Sequence, residues 1–157
     1  MSRLHVRRHL PWVRSGPLHK VHADTLPEVE ALLARHDHVR VDLDGRTMTS
    51  RAATHAQIGR VLDFPDWYGP SWDGFNDCLG PFVVQNDGAL VVVVWQHADE
   101  AARLAPTSAM ELSWALLDWR HGGMPTLGAG TSAHVDVEVF VLGVTDDFER
   151  PEPAQNS

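Results

Sequence analysis

The chain has 157 residues, enough for one domain that buries a core without help from disulfides or metals. Hydrophobic residues make up 43% and charged residues 22%, the balance of an ordinary soluble globular protein, and no apolar run approaches the roughly eighteen residues of a membrane helix. Lysine and arginine number 13 against 21 aspartates and glutamates, and the net charge of −8 disfavours nonspecific binding to nucleic acid or anionic membrane and favours a basic partner.

In chain order, residues 1–9 are basic and polar and lack the apolar stretch of a signal peptide. Cys78 is the single cysteine, so no internal disulfide forms, and the cytoplasm is the expected compartment. Residues 19–22 read as a short strand. Thr25 and Glu28 have capping-box spacing and Pro27 falls in a first turn, predicting a helix over 26–35 with Val29, Leu32 and Leu33 inward. Alternation over 39–43 predicts a strand ended by Asp44-Gly45. Ser50 caps a helix to about residue 62, with Ile58, Val61 and Leu62 inward. Pro65 and Gly69-Pro70 interrupt the chain. Ser71 then caps a short helix, 72–79, with Gly80 past its end and Pro81 as its stop. Residues 89–95 form an apolar strand of the kind covered on both faces, and 97–104 a helical turn or two. A longer helix, 107–121, carries Met110, Trp114 and Leu117 at helical spacing. Residues 124–132 are a loop, and 135–142 alternate as a last strand. Residues 149–157 have the composition of a frayed tail. Strands alternating with helices define an α/β domain with a small, mostly parallel sheet of three or four strands packed by helices.

The segment LDFPDWYGPSWDGFNDCLG, 62–80, concentrates the chemistry. It sets Trp67, Tyr68, Trp72 and Phe75 beside two carboxylates, Asp73 and Asp77, that share a helix face at i and i+4. A solvated acidic face is the commoner reading of that spacing alone. A catalytic pair, a divalent-cation site and a mimic of nucleic-acid phosphates are the functional ones. The aromatics favour a contact surface, because ring area beside carboxylates suits a basic, concave partner. Trp72 and Phe75, at i and i+3, are expected to anchor the helix inward. At least one of Trp67 and Tyr68 is expected to be exposed. Cys78 reads as a small apolar residue without a neighbour to activate it. The 10 histidines include no HExxH or Cys/His pairing, and no metal or other cofactor is expected. Gly128 and Gly130 lack the rest of a P-loop or dinucleotide fingerprint, there is no GxSxG elbow, and Asp42 and Asp44 read as turn residues beside Gly45.

With Pro65, Trp67, Tyr68, Gly69, Asp73, Asp77, Cys78 and Leu79 in this register, the segment resembles the barstar-like family of ribonuclease inhibitors. The resemblance implies a barstar-like domain over 38–145, preceded by an extension, 1–37, with one helix and followed by a flexible tail, 146–157. It implies a non-enzymatic immunity protein of bacterial type. Such a protein is a monomer that binds a small, basic, guanyl-preferring secreted ribonuclease one to one, and binds neither nucleic acid nor membrane. In that family Asp77 would enter the nuclease active site where a substrate phosphate binds, and Asp73 would support it. Trp67 would pack near the catalytic histidine, Gly69, Ser71, Trp72 and Gly74 would line the contact, and Phe82 sits near the position of an aromatic after the helix. Asn76 departs from the family, which has a tryptophan there, and this implies a different partner surface. Asp118 is the nearest match to an acid of the last long helix. Two alternatives stand beside this reading. One is a barstar-fold module for another partner; the other is a metal-dependent hydrolase using Asp73 and Asp77.

Overall fold

Five consecutive buried residues, Val91 to Trp95, are β-branched or aromatic and suit a strand packed on both faces. In the computed structural model, which describes residues 4–14, 16–122 and 132–153, they belong to β3 (Leu90–Gln96). This strand lies inside a four-stranded, all-parallel sheet. The order is β1 (Leu18–His22), β4 (Asp136–Gly143), β3, β2 (Val39–Asp44). Val93 stands opposite Val41 on one side and Val139 on the other.

Side chains alternate between the two faces of this sheet, so two separate cores form. Val92, Val94, Phe140 and Leu142 pack against α2 (Leu26–Leu33) and against Leu4, Val6, Leu10 and Val13 of the N-terminal segment, which includes α1 (Val6–His9). Val91, Val93, Trp95, Val139 and Val141 pack on the other face against the remaining helices. These are α3 (Arg51–Val61), α4 (Trp72–Gln85), α5 (Ala98–Leu104) and α6 (Pro106–Arg120). Parallel strands demand crossovers, and these helices supply them.

Several expectations need correction. Segment 1–37, read as an extension with one helix, holds a second short one, α1, and the strand expected over 19–22 is the edge strand β1, paired with β4 from Leu18 to His22. Thr25 does not cap α2 with its side chain; its hydroxyl donates to the His22 carbonyl at 2.7 Å. The helix expected to stop at Gly80-Pro81 runs on to Gln85, with Pro81 inside it. Pro81 is exposed, so its ring meets solvent on its outer side, while Leu79, Gly80 and Val83 around it are buried. Met110 and Trp114 do not face the core. The buried stripe of α6 is Ala109, Leu112, Ala115, Leu116 and Trp119. In the segment read as a tail, Glu149 is held to β1 by backbone bonds to Lys20 and His22. The loop expected at 124–132 lies outside the described residues except for its last position.

Candidate functional site: the acidic face of α4

The site is built around one half-buried tyrosine, Tyr68. Short backbone bonds shape the loop before α4: Phe64 N–H to the Gly59 carbonyl at 2.8 Å and Tyr68 N–H to the Pro65 carbonyl at 2.9 Å. Tyr68 thereby lies in a slot between α3 and α4. A β-carbon at Gly59 would come within 2.9 Å of its ring, and one at Gly74 within 3.6 Å, so glycine at 59 lets the ring approach the α3 backbone. The Tyr68 hydroxyl is hydrogen-bonded to His55 Nδ1. Burial pushes the Tyr68 phenol well above its ordinary pKa. Burial, helped by the charge of Arg51, pushes the His55 imidazole below its own. Both groups are therefore neutral at pH 7, and they share one hydrogen bond whose direction follows the His55 tautomer. The other ring nitrogen, His55 Nε2, is buried and without a partner among the described residues.

Trp72 opens α4 against this pair. Its ring centroid is 4.4 Å from that of His55 and 5.4 Å from that of Phe75. Its indole N–H donates to Glu111 Oε2 of α6 at 2.8 Å. Further along, Phe82 meets Trp119 of α6 edge to face, with centroids 5.8 Å apart. These two ties set α4 and α6 side by side and running the same way. The first turn of α4 is closed by Ser71, whose hydroxyl accepts from the Gly74 N–H at 3.0 Å.

What this support presents is a row of exposed groups. Asp73 and Asp77 are exposed on one face of α4, and none of the ion pairs among the described residues involves either carboxylate. Trp67 is 69% exposed, so of the loop pair it is the outward one. Gly69, Trp72, Gly74 and Asn76 are half-buried, and Asn76 Oδ1 is buried without a partner among the described residues. Phe82 does not follow the helix but lies within it, half-buried and turned to α6. Asp118 is exposed on α6. Cys78 is buried, and burial together with the charge of Asp77 pushes its thiol up, away from nucleophilic use.

Sequence reasoning missed three residues. His55 carries a legible signal: with Ile58 and Leu62 it has the spacing of the inward stripe of α3. Glu111 carries none, because its partner Trp72 is 39 residues away and only the topology brings them together. Trp114, noted only for its helical spacing with Met110 and Leu117, is 59% exposed.

Among the described residues no group of three or more His, Cys, Asp or Glu is placed to hold a metal ion. Nor is any helix among them long and apolar enough to cross a membrane. Two cavities of about 470 Å³ lie elsewhere, and residues 62–80 line neither. One sits under the N-terminal segment beside His19, Arg120 and Glu138, the other between α5, α6 and Phe148.

The chain is thus a three-layer α/β protein with an acidic, aromatic helix face turned to solvent and braced from behind. The family model for barstar (barnase inhibitor) matches residues 38–125, and the chain belongs to that family. No curated protein matches it.

Proposed function

We propose that this protein is a non-enzymatic inhibitor of a small, basic, guanyl-preferring secreted ribonuclease, and that it closes the nuclease active site with the exposed face of α4. One observation carries the reading: Asp73 and Asp77 stand exposed and unpaired beside exposed Trp67, on a helix fixed from behind by Tyr68, Trp72 and His55. A nuclease holds RNA phosphates with arginines and lysines, and two fixed carboxylates meet those cations where phosphate would lie. Asp77 takes the central position. Asp73 supports it from one turn earlier, and Trp67, Gly69, Ser71, Trp72 and Gly74 shape the rim. Membership of a family of barnase inhibitors supports this reading. In it the protein acts as a monomer, one to one, in the cytoplasm of the cell that makes the nuclease.

The test is inhibition. A panel of small basic ribonucleases, barnase included, is titrated with the purified protein in the presence of a chelator, and residual RNA cleavage is measured. At least one nuclease is expected to lose activity at a one-to-one ratio. Full cleavage by every member would refute the reading.

A second reading, a module of this fold for a different partner, draws on Asn76. Where the family has a tryptophan, this short amide turns its oxygen inward, so the centre of the face has less apolar area. A panel without inhibition, together with stable binding to a non-nuclease, would select it.

A further inference from the structure

The first 22 residues carry five of the chain's 13 lysines and arginines and none of its 21 aspartates and glutamates. A basic partner gives no reason for that segment, which would repel it. The fold gathers much of this charge around the cavity of about 470 Å³ under the N-terminal segment. Arg7 and Arg8 of α1 line it and are exposed, and no ion pair among the described residues involves either guanidinium. Arg7 donates one N–H to the Arg14 carbonyl at 2.6 Å. Arg120, at the end of α6, and the buried pair His19 and Glu138 line the same cavity. Glu138 Oε2 lies 2.8 Å from His19 Nε2, and Oε1 accepts from Arg120 Nη2 at 3.4 Å. Both carboxylate oxygens are thus engaged, while His19 Nδ1 and Arg120 Nε are buried without a partner among the described residues. Of these residues only Arg120 falls within the matched family segment, 38–125, and α4 packs on the other face of the sheet. The cavity is therefore no part of the acidic face.

We propose that this cavity binds a small phosphate monoester, held by Arg7, Arg8 and Arg120 beside the Glu138–His19 pair. Three arginines against one glutamate leave two positive charges when His5 and His19 are neutral. A phosphate monoester carries roughly −1.5 to −2 at neutral pH and three strong acceptor oxygens. It balances that charge, whereas a single carboxylate would leave half of it unmet. The planar forks of the guanidinium groups match phosphate oxygens in pairs. Glu138, with both oxygens engaged, props Arg120 and His19 in place rather than facing the anion. The volume falls within the range of small-molecule sites, about 300–1,000 Å³, and leaves room for an organic body behind the phosphate. Leu4, Val6 and Pro17 give that body an apolar wall.

Calorimetric titration of the protein decides it, with adenosine monophosphate, glycerol phosphate, inorganic phosphate and adenosine as probes. At least one of the two esters should bind one to one, on the order of tenfold tighter than inorganic phosphate, and adenosine should not bind. Tighter binding of the first assigns the site to nucleotides, and of the second to polyol phosphates. Arg8→Gln should weaken binding on the order of tenfold and leave the melting curve of the free protein unchanged, because the side chain is exposed. Arg120→Gln should weaken it at least as much; should that variant not fold, Arg7→Gln takes its place. Arg103→Gln removes an exposed arginine of α5 outside the cavity and should bind as the parent does. No binding by either ester, or binding no tighter than that of inorganic phosphate, overturns the proposal. Equal losses for Arg8→Gln and Arg103→Gln overturn it too, since diffuse charge would then suffice. None of these outcomes bears on nuclease inhibition, which is read at α4.

Discussion

At the scale of single residues, Asp77 and His55 show how function and support divide. Asp77 lies within α4 rather than in a last turn, so the helix dipole does not oppose it. What remains against it is the like charge of Asp73 one turn before and the helix preference for alanine. Asp77→Ala should therefore keep the melting temperature or raise it slightly, by a few tenths of a kcal/mol. The same change should weaken inhibition by about 2–5 kcal/mol, since it strands the partner's cations. Thermal melts and inhibition constants measure the two effects. A destabilised fold with intact inhibition would make the carboxylate structural. His55 gives the opposite case, a group that braces Tyr68 and Trp72 from behind rather than one offered to a partner. Its pKa is lowered by burial, so between the unfolded value near 6.5 and the lower folded value the unfolded chain binds more protons. Stability from this group is present above about pH 6.5 and is lost as pH falls toward the folded value. His55→Gln should lower stability at pH 7.5 and flatten its decline on acidification, as denaturant titrations at pH 7.5 and 5.5 would show. An equal decline in both proteins would remove His55 as the source.

At the scale of elements, the departures from expectation share one cause: a local signal was overruled by packing. Strand β3 was readable because a run of valines has one use in an α/β protein. The cap at Ser71 was readable because it acts within four residues. Pro81 was not, because a proline ends an isolated helix but not one whose flanking residues are buried in the fold, as Leu79 and Val83 are. The inward face of α6 was not legible, because Met110 and Trp114 satisfy the period of an apolar stripe as well as the residues that are buried. The acids and aromatics of the site were legible from composition. The bracing from His55 and Glu111 was not, since it depends on which helices the crossovers set side by side. Pro81 also permits a direct test. It cannot donate to the Asp77 carbonyl, so Pro81→Ala restores one helical bond at an exposed position. Stability should rise by about 1–2 kcal/mol, the gain in helix propensity exceeding the unfolded-state entropy conceded. Chemical denaturation measures it, and a loss of stability would mean that α4 needs the proline.

At the scale of the whole molecule, charge and topology act separately. The net charge of −8 extends beyond the contact face and should draw a basic nuclease in from a distance. That attraction is screened over about 8 Å at physiological ionic strength, whereas buried contacts are screened far less. Raising salt should thus slow association much more than it speeds dissociation, and stopped-flow rates at two ionic strengths would show it. A salt-independent association rate would remove steering from the account. Topology has a different reach. Strand β4 comes last in the sequence yet sits between β1 and β3. The matched family segment, 38–125, ends before it begins. On a translating ribosome the two flanks of the sheet are thus made first, with the middle missing between them, and α6 has no finished surface to settle on. Under the proposed function, the face of α4 is therefore assembled only when the final strand emerges, and a half-made chain would protect nothing. A cell that relied on this protein as an antidote would have to stock it ahead of the toxin rather than make the two in step.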